Sequence, residues 1–97
     1  VSRGLPFLPM NKDQLATLRK NMGLSQPEFG QLFGVHPMTV SKWERGVLAP
    51  NEYQLALMRE FQIAVQNEKA RQTVKSVLIG AGIAAALLLL LDAGKGK

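Results

Sequence analysis

The stretch from residue 36 to residue 45 carries side chains that could recognise a negatively charged partner. Its polar and basic members are His36, Thr39, Ser41, Lys42 and Arg45. If the stretch is a helix, these side chains lie mostly opposite Val40 and Trp43, and its first two turns contain no acidic residue. A solvated surface helix usually mixes charges of both signs. The pattern therefore favours an anion-binding surface, with an ordinary amphipathic helical hairpin as the alternative.

Catalytic chemistry has few candidate residues in this sequence. There is one histidine, His36, and no cysteine, which excludes disulfides and thiolate metal sites. The sequence contains no phosphate-binding glycine loop, no nucleophile elbow and no pair of carboxylates spaced for acid–base catalysis. Ser41 and Lys42 are neighbours on one helix surface and do not form a triad. We therefore expect no enzymatic activity, no cofactor and no bound metal ion.

Composition is consistent with one small domain and a polyanionic partner. The 97 residues carry a net charge of +5, and the sequence pI is about 10.0. Residues 1–50 contain six basic and three acidic residues, so most of the positive surplus lies in the half that contains the motif. DNA binding needs such a surplus because phosphate contacts dominate affinity. The lack of cysteine fits a reducing cytosol.

Two short helices joined by a tight turn must position these polar and basic side chains. Ser25 is a candidate N-cap, and Glu28 three residues later completes a capping box. Pro37 suits the first position of the second helix, where a missing N–H costs nothing. Gly34 and Gly46 stand where the two helices must end. About two to three residues remain to connect them, which is the length expected of a helix-turn-helix.

Further helices are expected on both sides of this pair. Asn11 can cap a first helix over residues 11–22, and Asn51 can cap another one after Pro50. The apolar residues assigned to the shared core are Leu15, Leu18, Met22, Phe29, Leu32, Phe33, Val35, Val40, Trp43, Leu55, Leu57, Met58 and Phe61. No proline follows Pro50, so the last helix could continue into the charged stretch at residues 66–75.

The motif residues resemble one family closely. The runs Ser-Gln-x-Glu-Phe-Gly-x-Leu-Phe-Gly-Val and Thr-Val-Ser-Lys-Trp-Glu-Arg-Gly are similar to the Cro/C1-type (XRE) helix-turn-helix family, over about residues 12–61. The resemblance implies an all-α, lambda repressor-like domain of four to five helices. It also implies that the second motif helix enters the major groove of double-stranded DNA.

The resemblance also assigns roles to single residues. Gln26 matches a residue that contacts a backbone phosphate, and Arg19 and Glu44 match an internal ion pair. The positions expected to face base edges are Pro37, Met38, Thr39 and Lys42, with His36 beside them. Ser41 and Arg45 are expected to contact phosphates. Pro37 and Met38 depart from the Gln, Arg or Asn often found there, and neither side chain donates a hydrogen bond. Specificity could therefore depend on DNA shape.

Residues 77–91 form a second informative segment because they are apolar on every side. As one helix the segment would span about 22 Å, somewhat less than a bilayer core. A membrane anchor, a dimerisation helix and a disordered segment are the three interpretations. The expected organisation is a flexible arm at 1–10, the DNA-binding domain at 11–66, a charged helical linker at 67–76, the apolar helix at 77–91 and a tail at 92–97.

The function expected from these features is sequence-specific DNA binding by a homodimeric transcriptional regulator, a repressor, which inserts the helix at 37–45. We expect it in the cytoplasm, tethered to the inner face of the membrane if residues 77–91 are an anchor. Two alternatives stay open. One is an antitoxin that represses its own operon and binds a toxin protein. The other is a membrane-anchored scaffold whose helix-turn-helix binds protein.

Overall fold

The chain folds into α-helices throughout the part that the structure describes. The structure is a computed structural model, and it describes residues 10–95, apart from the side chain of Lys95. In this range the helices are α1 (Lys12–Asn21), α2 (Gln26–Phe33), α3 (Pro37–Glu44), α4 (Glu52–Ala64), α5 (Glu68–Ala81) and α6 (Ile83–Lys95). The predicted all-α class is confirmed. The arm expected at 1–10 lies outside the described residues except for Met10.

Capping side chains fix the start of each helix of the motif domain. Asn11, Ser25 and Asn51 each accept a hydrogen bond from the backbone N–H three residues later. The side chains at those positions in turn accept a hydrogen bond from the backbone N–H of the cap residue, which completes three capping boxes. Two N–H groups that would otherwise lack partners are satisfied at each start, so these boundaries follow directly from local sequence.

An aromatic cluster holds α2, α3 and α4 together. The Phe33 ring lies 4.9 Å from Phe29, 5.7 Å from Trp43 and 5.5 Å from Phe61, measured between ring centroids. The three partners of Phe33 lie on α2, α3 and α4 and are all buried. Tilted and edge-on ring pairs of this kind add to the free energy gained from burial. The cluster therefore joins both motif helices to α4.

The C-terminal part of the chain folds back on this domain as a helical hairpin, α5 and α6. Gly82 separates the two helices with φ +102° and ψ 177°, a backbone conformation that other residues rarely adopt. α6 packs against α4, α5 and α2 and buries Ala86 and Leu90 completely. A Cβ added at Gly94 would meet the Glu60 carbonyl oxygen at 3.3 Å, so α6 lies close against the α4 backbone.

The structure corrects the expected helices after residue 64. α4 ends at Ala64, and Asn67 caps a new helix by accepting from the Ala70 N–H at 3.1 Å, so no linker helix continues from α4. One apolar helix over 77–91 is also wrong, because Gly82 divides this segment between α5 and α6. Tail residues 92–95 belong to α6, and residues 96 and 97 lie outside the described range.

The anchor interpretation of residues 77–91 required a membrane-spanning helix. Among the helices of residues 10–95, none combines the length and the apolar character needed to cross a membrane.

Packing of α6 can be tested with two leucines on this one helix. Leu90→Ala should lower the free energy of unfolding by about 2–5 kcal/mol, because Leu90 is fully buried. Leu88→Ala is the matched control and should change it by less than about 0.5 kcal/mol, since 70% of Leu88 is exposed. Urea denaturation of the full chain measures both. If both variants changed the free energy of unfolding by the same small amount, the packing of α6 on the domain would be contradicted.

Candidate nucleic-acid interface

The turn between α2 and α3 brings the two helices close together. Gly34 ends α2 in the left-handed conformation, φ +66°. The Val35 N–H then donates to the Gly30 carbonyl oxygen at 3.0 Å, which folds the chain back over α2. A Cβ at Gly30 would lie 2.8 Å from the Val35 carbonyl oxygen, so this approach needs glycine. The turn therefore fixes the angle at which α3 leaves α2.

α3 has one buried face and one solvent-facing face. Val40 and Trp43 are buried in the core. Met38, Lys42 and Arg45 are exposed on the other side, and Met38 is 53% exposed. The remaining predicted positions on this helix are exposed or half-buried, namely His36, Pro37, Thr39 and Ser41. The residues expected to meet DNA thus share an accessible surface.

The first turn of α3 is capped by a histidine. The Met38 N–H donates to His36 Nδ1 at 3.0 Å. Pro37 occupies the first helical position, where an N–H would have no partner within the helix. The sequence analysis did not identify this acceptor role of His36. Because Nδ1 accepts, the ring proton is on Nε2, which stays available as a donor.

A hydrogen-bonded carboxylate fixes the other end of α3. Arg19 Nε and Nη2 donate to Glu44, the second bond being 3.1 Å long, and Nη1 donates to the Leu24 carbonyl oxygen at 2.8 Å. The side chains of Arg19 and Glu44 are 14% and 11% exposed. The pair expected from the resemblance is therefore present, and it joins α1 to α3 with a bidentate geometry that is strong and directional.

Gln26 belongs to the same network, which no sequence pattern indicated. Its Nε2 donates to Glu44 Oε1 at 3.1 Å, and its side chain lies at the first position of α2. Glu44 thus connects α1, α2 and α3. The phosphate contact expected of Gln26 stays a prediction, and the amide is already held in place by Glu44.

Burial and hydrogen bonding act in opposite directions on the pKa of Glu44. Burial raises the pKa by disfavouring the charged carboxylate, whereas hydrogen bonds from Arg19 and Gln26 and the charges of Arg19 and Lys20 lower it. The hydrogen bonds and nearby positive charges together outweigh burial, so the pKa of Glu44 lies below its ordinary value. The carboxylate is therefore ionised at neutral pH.

The basic side chains of α3 differ in how they are held. Arg45 Nε donates to Ser41 Oγ at 3.1 Å, so these two expected phosphate contacts are joined across one helical turn. The Lys42 ammonium has no hydrogen-bond or ion-pair partner among the residues that the structure describes. A free ammonium on an exposed helix face can approach a base edge or a phosphate oxygen. Within residues 10–95, no cluster of three or more His, Cys, Asp or Glu could hold a metal ion.

Comparison with protein families agrees with this geometry. A helix-turn-helix family model matches residues 15–61, which run from α1 into α4. The fold and this match define a helix-turn-helix domain at residues 15–61. More narrowly, the matched region belongs to the Cro/C1-type (XRE) family, which confirms the resemblance seen in the motif and implies DNA binding. Comparisons with curated proteins and with solved structures gave no match. The α5–α6 hairpin lies outside the matched residues.

The electrostatics of Glu44 lead to a prediction about acid stability. A carboxylate with a lowered pKa in the folded state stabilises the protein fully above the ordinary value of 4.5, and this contribution is lost as the pH falls through the folded-state pKa. Glu44→Gln keeps an acceptor for Arg19 but cannot titrate. The free energy of unfolding of the wild type, relative to this variant, should therefore fall as the pH decreases from 4.5 through the lower folded-state pKa of Glu44.

Chemical denaturation of both proteins across this pH range measures the effect. Glu60→Gln is the control for the loss of one carboxylate, because Glu60 is exposed on α4. Glu28, whose pKa is also lowered, is present in all three proteins and cancels in the comparison. Parallel pH curves for the wild type and Glu44→Gln would contradict the stabilising role of the Glu44 charge.

Proposed function

We propose that this protein is a sequence-specific transcriptional repressor that inserts α3 into the major groove of double-stranded DNA. The observation that carries the proposal is the exposed, polar and basic face of α3, presented by a domain whose family binds DNA. A helix presented in this way fits the width of the major groove. The proposal places the protein in the cytoplasm with its DNA.

Different side chains of this face would make different contacts. Lys42 would donate to guanine O6 and N7, and Thr39 to a base or a phosphate. Met38 would contact a thymine methyl group beside Pro37, and His36 would offer Nε2–H. Gln26, Ser41 and Arg45 would bind backbone phosphates, which set the register without reading sequence. Direct readout would rest on few residues, so sequence-dependent DNA shape would add to specificity.

The protein would act as a dimer. One module of this size buries limited surface on DNA, and two half-sites multiply its affinity. Large apolar side chains on the hairpin stay exposed in the single chain, which supports a self-association surface there. These are Ile79, Ile83 and Leu88, at 66%, 42% and 70% exposure.

Selection from a pool of random-sequence DNA duplexes tests this function with the full chain. We expect a single preferred site with two inverted half-sites whose centres lie about one helical turn, 34–36 Å, apart. A protein denatured before the selection is the background control. Recovery of duplexes with no shared sequence would contradict sequence-specific binding, and one asymmetric half-site would contradict the dimer.

Two alanine variants separate base readout from phosphate binding on the selected site. Lys42→Ala should cost about 1–3 kcal/mol of binding free energy and relax the preference at one base position. Gln26→Ala should weaken binding to all sequences alike. Fluorescence anisotropy with the selected duplex and its single-base variants measures both. Unchanged preference in Lys42→Ala, or a base-selective loss in Gln26→Ala, would contradict the assigned roles.

A further inference from the structure

One ion pair links the C-terminal hairpin to the DNA-binding motif. Lys75 Nζ on α5 lies 3.5 Å from Glu28 Oε1 on α2. The Lys75 side chain is 50% exposed and that of Glu28 is 22% exposed. Lys75 lies outside the matched family region, whereas Glu28 lies in the first turn of a motif helix. The hairpin therefore places a cation beside the motif.

The Glu28 carboxylate has a fixed position in this arrangement. It accepts a hydrogen bond from the Ser25 N–H at 2.9 Å as part of the α2 capping box. The Ser25 backbone hydrogen bond and the Lys75 charge outweigh the effect of burial, and the pKa of Glu28 is lowered. An ionised carboxylate thus lies two residues from Gln26, the expected phosphate contact. Without a nearby cation it would repel an approaching phosphate.

Each of two acids of the motif has a lysine that acts on its charge. Lys20 lowers the pKa of Glu44, which is hydrogen-bonded to Gln26, and Lys75 pairs with Glu28. An ammonium has three donors, and among residues 10–95 the Lys75 ammonium has one carboxylate partner, at 3.5 Å. Half of its side chain remains accessible, so it can bind a second anion while it stays beside Glu28.

We propose that Lys75 binds a DNA backbone phosphate beside the start of α2, so that the C-terminal hairpin extends the DNA-binding surface beyond the family domain. This inference rests on the proposed DNA-binding function. Its ligand is a phosphodiester, so Lys75 adds affinity on every sequence and does not read bases. Each phosphate that a protein cation neutralises contributes about 0.9 to the slope of log affinity against log salt concentration.

The test is the salt dependence of binding to the duplex selected by the wild type. Lys75→Gln should reduce the magnitude of the slope by about 0.9. The affinities of the wild type and of Lys75→Gln for DNA should converge near 1 M salt. At 0.1 M salt the variant should therefore bind about eightfold more weakly than the wild type. The loss should be the same on the selected and the random duplexes. Lys75→Arg should retain the wild-type slope, because it keeps a cation at this position.

Lys69→Gln is the matched control, since it removes the same charge from an exposed position on the same helix. It should leave the slope within experimental error of the wild type. Equal slope changes in Lys69→Gln and Lys75→Gln would overturn the proposal in favour of a general charge effect. A lower affinity of Lys75→Gln at an unchanged slope would overturn it in favour of a structural role, and thermal unfolding would show the accompanying loss of stability.

The double variant Glu28→Gln with Lys75→Gln excludes a role limited to neutralising Glu28. The double variant should keep the reduced slope if Lys75 binds phosphate, whereas a return to the wild-type slope would overturn the proposal. A wild type that binds no DNA would overturn the proposed function and this inference together. A wild type that binds with the same slope as Lys75→Gln would overturn this inference alone.

Discussion

The Glu44 carboxylate is the interaction on which the orientation of α3 depends. It accepts hydrogen bonds from Arg19 on α1 and from Gln26 on α2, and it belongs to the last residue of α3. The Glu44 side chain is mostly buried. Removal of Arg19 or Gln26 would therefore leave a buried carboxylate oxygen without a hydrogen bond, which costs about 1–3 kcal/mol of folding stability. Aromatic rings tolerate several packing geometries, whereas a bidentate guanidinium–carboxylate pair has one. The exposed face of α3 is therefore set by this network before any ligand binds.

The apolar sequence of α6 imposes a second constraint. From Ile83 to Leu91 the helix has no polar side chain, so it needs cover on most of its surface. α2, α4 and α5 cover one face of α6, while Ile83 and Leu88 stay exposed, and Gly82 supplies the reversal that brings α6 back to these helices. Lys75 lies on α5, the helix that packs against α6, and its ammonium reaches the first turn of α2. The hairpin that buries one face of the apolar helix thus also carries the charge that lies beside the motif.

Local signals predicted the motif domain well because each of them acts over a few residues. The caps at Asn11, Ser25 and Asn51 and the left-handed Gly34 are readable from spacing alone. The hairpin was not predictable in this way. Glycines within an apolar run such as 77–91 also allow close helix packing, so they did not identify Gly82 as a helix end. The end of α5 at Gly82 allows α6 to pack against α4, which is distant in the sequence.

The candidate site shows the same division between local and distant information. The exposed face of α3 followed from the spacing of Val40 and Trp43, and the Arg19–Glu44 pair followed from the family resemblance. The bonds Gln26–Glu44 and Lys75–Glu28 depend on how separate helices meet, and no local pattern contains that information. Sequence analysis therefore identified which residues face outward but not how they are held.

The chemistry of the α3 surface limits what it can recognise. His36 offers Nε2–H and Lys42 offers an ammonium, while Met38 and Pro37 offer no donor. Carboxylates and carboxamides, the side chains that accept from cytosine N4 or pair with adenine, are absent from the exposed face of α3. Such a surface is rich in donors and poor in acceptors. On the proposed function, it would favour guanine, whose major-groove edge has two acceptors, and would leave A·T positions to methyl contacts and DNA shape.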